Sequence, residues 1–114
     1  MVLPSLKLIQ REASLFECWC RSYERNPESN RAVNQLYNIS YAVFACIDRT
    51  EPRAGAKILY EMYRATELDF DYCDSDVLFD IRWEIKSHLT DIINQNQQLF
   101  TDGDLSVYEY ILED

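Results

Sequence analysis

A chain of 114 residues and 13.5 kDa has room for one domain, and folding buries roughly two-thirds of the surface that a chain of this size exposes when unfolded. With 47% hydrophobic and 27% charged residues but only two Gly and three Pro, the composition excludes a disordered tail, a collagen-like repeat and a Gly-rich barrel. Eleven Lys and Arg against twenty Asp and Glu give a net charge of −9, which argues against direct binding to nucleic acid or to an anionic membrane.

Apolar residues at Leu6, Ile9, Ala13, Phe16, Cys20 and Tyr23 recur in steps of three and four, the spacing of one face of an amphipathic helix. Ser5 is placed to cap it, and Asn26-Pro27 stops it because proline restricts the residue before it. A second helix is expected from about Glu28. Its face is Ala32, Val33, Leu36, Tyr37, Ser40, Val43, Phe44 and Ile47, with Ser40 and Ala45 small enough for a close neighbour. Thr50-Glu51-Pro52 and Gly55 interrupt that pattern. Ile58, Leu59, Met62 and Tyr63 then carry a third, shorter helix, with Pro52 to Gly55 at its start and Glu67 near its exit.

Glu67 to Ser75 lacks helical spacing and reads as an acidic loop, in which Asp74 or Ser75 would cap a fourth helix from Asp76. The fourth stripe is the longest: Leu78, Ile81, Ile85, His88, Leu89, Ile92, Asn96 and Leu99. Thr101 to Asp104 forms a turn and cap. Val107 to Ile111 alternates like a strand, yet Leu105, Tyr108, Ile111 and Leu112 fit one helical face, and a lone strand would have nothing to pair with. Together these elements predict a single all-α domain over residues 1–114, an antiparallel four-helix bundle with a short additional C-terminal helix.

The four cysteines, Cys18, Cys20, Cys46 and Cys73, lie in or beside apolar stripes, as in a compartment that keeps thiols reduced, and Cys20 and Cys46 read as buried small hydrophobes. Cys18 and Cys20 point about 200° apart on a helix and cannot share a metal ion. No apolar run of signal or membrane-spanning length is present, so a cytoplasmic protein is expected.

Catalytic chemistry has little to work with. His88 is the one histidine, four residues after Glu84, which is neither the Glu-x-x-His spacing of a di-iron bundle nor part of a zinc motif. An EF-hand frame from Asp69 puts Cys73 at its fifth position, Asp74 where glycine is needed and Asp80 at the twelfth. A frame from Asp102 has Val107 at the glycine position. Neither a metal nor a cofactor is expected, and no nucleotide or hydrolase motif occurs. An enzyme using Glu61 or Glu84 with His88 as acid and base is the weakest of three readings.

Charge is distributed unevenly. Residues 1–50 hold six basic and five acidic side chains, whereas residues 51–114 hold five and fifteen. Between Ala65 and Ile81 there is no Lys or Arg, while Glu67, Asp69, Asp71, Asp74, Asp76 and Asp80 repel one another over a screening length of about 8 Å. Phe70, Tyr72 and Phe79 interleave with them. Carboxylates that steer a cationic partner, next to rings that anchor it, make a recognition surface. The predicted partner-binding residues are Glu67, Asp69, Phe70, Asp71, Tyr72, Asp74, Asp76 and Asp80. The plainer reading plugs Phe70 and Tyr72 into the end of the core and leaves the acids solvated.

The overall size, the loop Glu67-Leu68-Asp69-Phe70-Asp71-Tyr72 and the following helix Asp76 to Leu89 with Arg82 and Lys86 resemble the small acidic immunity proteins of the colicin-immunity kind. That resemblance implies a helical cytosolic inhibitor that covers the basic active site of a nuclease toxin. The long first helix and the Tyr-rich tail have no counterpart in it. The expected function is therefore a non-enzymatic binding module whose partner is a basic protein such as a toxin nuclease, a restriction enzyme or a CRISPR effector, with DNA mimicry a special case. The competing expectation is a self-associating bundle, a homodimer whose acidity serves solubility. It is motivated by eight Tyr, five Phe and two Trp and by Trp19 and Trp83 lying off the main stripes. If exposed, these Trp mark an interface; if buried, they widen the core.

Overall fold

The computed structural model describes residues 6–67 and 76–113. Among them the chain is all helical, with five α-helices and no strand: α1 (Leu6–Arg25), α2 (Asn30–Ile47), α3 (Pro52–Ala65), α4 (Asp76–Gln95) and α5 (Asp102–Leu112). The ambiguous Val107 to Ile111 segment is helical. No described helix is long and apolar enough to cross a membrane. The expected caps Ser5, Asp74 and Ser75 lie outside the described residues.

Local chemistry sets the boundaries. Ser29, not Glu28, precedes α2: its N–H closes a turn on the Asn26 carbonyl, and its hydroxyl accepts from the Ala32 N–H at 3.2 Å. Glu51 caps α3 by accepting from the N–H groups of Arg53 and Ala54, with Pro52 at the first helical position. Thr66 closes α3, its hydroxyl donating to the Tyr63 carbonyl, just before the predicted exit at Glu67. The expected break after α2 and the entry of α3 at Pro52 to Gly55 are both present, with Gly55 buried in the first turn of α3, close to the end of α2. A Cβ there would sit 2.7 Å from the Thr50 hydroxyl oxygen and 3.5 Å from Ile47, so the absent side chain lets the α2–α3 elbow close.

The predicted stripes are the core. Ile9, Ala13, Phe16, Cys20 and Tyr23 of α1 are buried in one cluster with Leu36, Val43 and Ile47 of α2, Leu59 and Met62 of α3, and Leu78, Ile81, Ile85 and Leu89 of α4. α1 packs most extensively on α2 and then on α3, and α3 packs on α4, whereas α2 and α4 meet more lightly. Four residues join α1 to α2, which forces that pair to fold back on itself. Ser40 is buried, its hydroxyl donating to the Leu36 carbonyl at 2.6 Å, but Ala45 is exposed and brings no helix close. Cys20 is buried and Cys46 only partly so.

α4 ends earlier than its stripe predicts. The Asn96 amide donates to the Ile92 carbonyl at 2.9 Å, and a 3₁₀ turn over Gln97–Leu99 follows. The tighter turn rotates Leu99 outward and buries Phe100, which meets Tyr108 edge to face. Tyr108 and Ile111 then bury α5, with Leu105 and Leu112 packed beside them. Tyr60 and Tyr63 of α3 meet Tyr108 and Tyr110 at centroid distances of 5.6 to 6.3 Å, so four of the eight tyrosines dock α5.

A capping box starts α5: the Thr101 hydroxyl accepts from the Asp104 N–H, and the Asp104 carboxylate accepts from the Thr101 N–H and pairs with Arg53 at 3.2 Å. The bond from the Thr101 N–H, with Arg53 adding to it, holds Asp104 below the ordinary carboxylate range. A depressed acid stabilises the fold above its unfolded pKa, and this contribution is lost as pH falls through the folded value. Thr101→Ala is therefore expected to cost about 1 kcal/mol at neutral pH. The gap between wild type and Asp104→Asn should close below about pH 4, as read by urea titrations at several pH values.

Burial, followed by the charge of Glu17, pushes the Cys20 thiol up from 9.0 to about 12. A raised acid has the opposite sign: its contribution is complete below the unfolded value and is lost as pH rises towards the folded one. Cys20→Ala is expected to be less stable than wild type at pH 7, with the difference narrowing between pH 9 and 12. Melting curves across that range check it.

Candidate functional site

Around α4 the side chains sort into four stripes, because residues four apart share a face. Leu78, Ile81, Ile85 and Leu89 face the core. Arg82 and Lys86 form an edge towards α3, where the Arg82 guanidinium lies 4.7 Å over the Tyr63 ring and donates to its hydroxyl at 3.1 Å. Phe79 and Trp83 form an exposed ridge, and Asp76, Asp80 and Glu84 form an acidic edge towards α2. Like charges four residues apart repel by a few tenths of a kcal/mol per pair, while the helix dipole favours Asp76 in the first turn of α4.

α2 supplies the opposite wall. The Tyr37 hydroxyl donates to Asp80 Oδ2 at 3.4 Å, Tyr37 stacks on Tyr41 at 5.9 Å, and further along both helices Phe44 stacks on His88 at 4.7 Å. Both contacts advance together in the two helices, so α2 and α4 run in the same sense along this seam. Beside this seam lies a groove of about 710 Å³ lined by Tyr37, Tyr41, Phe79, Asp80, Trp83 and Glu84. Burial first, and then the Asp80 charge, raise the Tyr37 pKa, which keeps the phenol protonated as a donor. On the far side of the ridge a smaller groove of about 360 Å³ is lined by Tyr63, Phe79, Arg82, Trp83 and Lys86.

Phe79, Trp83 and Tyr41 are 70%, 62% and 58% exposed, the three highest values among the large apolar residues described, and all three line the same groove. Together they form an exposed aromatic patch. Trp19, by contrast, packs partly against the core with the Arg31 guanidinium 5.5 Å over its ring. Of the two Trp predicted as indicators, Trp83 therefore reports a surface and Trp19 widens the core.

Of the predicted binding residues, Asp76 and Asp80 lie on this acidic edge. Glu67 is exposed beyond α3, 3.7 Å from Arg64. Asp69, Phe70, Asp71, Tyr72 and Asp74 lie outside the described residues. Periodicity assigns Tyr37 to the α2 core face, gives no signal for Tyr41 and brings in Glu84 only as an acid or base. Spacing along one helix carries no information on which neighbour it meets.

His88 Nε2 is 3.8 Å from Glu84, while Glu61 lines a separate groove with Glu17 and Tyr60. The frame from Asp102 is helical from its first residue. No group of three or more His, Cys, Asp and Glu among the described residues could hold a metal ion. No protein-family model, curated protein or solved structure matches the chain.

Proposed function

We propose that this protein is a non-enzymatic binding module of the immunity or inhibitor type, which docks its acidic and aromatic α2/α4 face on a basic surface of another protein. The four long helices, read as a bundle carrying α5 in which α2 and α4 lie parallel, serve as its platform. The observation that carries this reading is the ridge of Phe79 and Trp83 standing exposed beside the carboxylates of Asp76, Asp80 and Glu84. Exposed rings that become desolvated supply affinity, and the acidic edge supplies steering and rejection of anionic surfaces. The net excess of ten acids over residues 51–114 agrees with a cationic partner. Nucleases and other effectors of nucleic acids carry basic faces that fit this chemistry.

A homodimer is the second reading, favoured by the same exposed ridge. Affinity capture from the native cell with wild type and with the Asp80→Asn, Trp83→Ala double variant, beside mass determination of the purified chain, separates the two. The expected result is one basic protein retained by wild type, released by salt and lost with the variant. Equal retention by both chains would overturn the docking face. A purified dimer that becomes monomeric in the variant would assign the face to a second copy.

A further inference from the structure

The geometry points to a seat for a guanidinium group in the α2/α4 groove, so that an arginine of the partner inserts between the rings of Tyr37, Tyr41, Phe79 and Trp83 and pairs with Asp80 and Glu84. This deepens the docking reading and rests on it. The groove combines two kinds of recognition that few side chains satisfy together: aromatic rings on both walls, and two carboxylates on the α4 side. A guanidinium is planar and weakly hydrated, stacks on rings and donates a fork of N–H groups to carboxylates. A lysine ammonium is compact and strongly hydrated, so desolvating it between rings is harder. A trimethylammonium suits an aromatic cage but offers no N–H to Asp80 or Glu84.

The protein repeatedly places guanidinium groups on its own rings. Arg31 lies over Trp19 at 5.5 Å, Arg64 over Tyr60 at 5.9 Å and Arg82 over Tyr63 at 4.7 Å. In the last two, the same guanidinium also bonds the ring hydroxyl at 3.1 Å. Tyr37 and Tyr41 offer the same pairing of ring and hydroxyl at the groove wall. Asp80 already accepts from Tyr37, which holds its carboxylate in place with further lone pairs for an incoming donor.

The test uses the full chain with fluorescein-labelled nona-arginine and nona-lysine peptides, read by anisotropy at fixed salt, and nitrogen-15 spectra of the two indole N–H groups. Nona-arginine is expected to bind at least ten-fold more tightly than nona-lysine and to shift the Trp83 indole signal while leaving that of Trp19 in place. Trp83→Ala and, separately, Asp80→Asn with Glu84→Gln should each weaken it ten-fold or more at unchanged melting temperature. Tyr41→Ala serves as a second ring variant. Equal affinity for the two peptides, or undiminished nona-arginine binding in the variants, would overturn the guanidinium seat. Tighter binding of nona-lysine bearing trimethylated side chains would reassign the groove to a methylammonium and overturn it as well. Loss of the native partner in Trp83→Ala without arginine preference would leave the docking face standing and remove the seat alone.

Discussion

Phe16→Ala is expected to cost about 3–5 kcal/mol of folding stability. Phe16 is fully buried in α1, the helix that packs on both α2 and α3, so truncation opens a cavity bordered by rigid neighbours on more than one side. Domains of this size are held by about 5–15 kcal/mol in total, so roughly a fifth or more of the stability would disappear and melting would fall by about 10–25 °C. Urea titration checks this: the midpoint should drop with an unchanged slope, because the native and unfolded surfaces are nearly the same. Phe79→Ala removes the same ring from an exposed position of α4 and is expected to change stability by no more than about 0.5 kcal/mol. A large loss there would mean that Phe79 is core and that the ridge is not a free face.

Trp83→Ala is expected to weaken association with the partner by about 2 kcal/mol or more, roughly thirty-fold in Kd. The indole stands between the two grooves on either side of α4 and contributes to both, so its removal takes away apolar contact on each flank. The loss should lie mainly in faster dissociation, the usual signature of a lost anchor. Asp80→Asn and Glu84→Gln act on another step. They leave the rings in place, and the amide introduced by Asp80→Asn keeps an oxygen for the Tyr37 hydroxyl, so association should slow and its dependence on salt should flatten. Surface plasmon resonance at two or more salt concentrations separates the two effects. An unchanged dissociation rate in Trp83→Ala would remove the indole from the interface.

The helices are legible in the sequence because burial and period coincide. Ile9, Phe16, Leu36, Leu59, Ile85 and Ile111 all fall on predicted stripes and all are buried. The misreading at the end of α4 has a local cause. Leu99 continues the α4 period on paper, but the Asn96 side chain takes the Ile92 carbonyl and the 3₁₀ turn passes the buried position to Phe100.

The candidate site is half legible. Asp76 and Asp80 stand out by charge, and Trp83 stands out by lying off its stripe. Tyr37 and Tyr41 do not, since the bond from Tyr37 to Asp80 spans 43 residues of sequence and depends on which helices become neighbours. The tyrosine excess, which suggests self-association, is in part accounted for within the fold by the cluster of Tyr60, Tyr63, Tyr108 and Tyr110 under α5.

Hydroxyl-radical footprinting of the protein inside its native cell, compared with the purified chain at low concentration, tests the docking face whatever the partner is. Tyr41, Phe79 and Trp83 are expected to oxidise readily in the purified chain and to be protected several-fold in the cell, while Leu8 and Tyr110, exposed elsewhere, oxidise equally in both. Equal oxidation of Trp83 in the two settings, or protection confined to α1 and α5, would contradict a partner seated on the α2/α4 face.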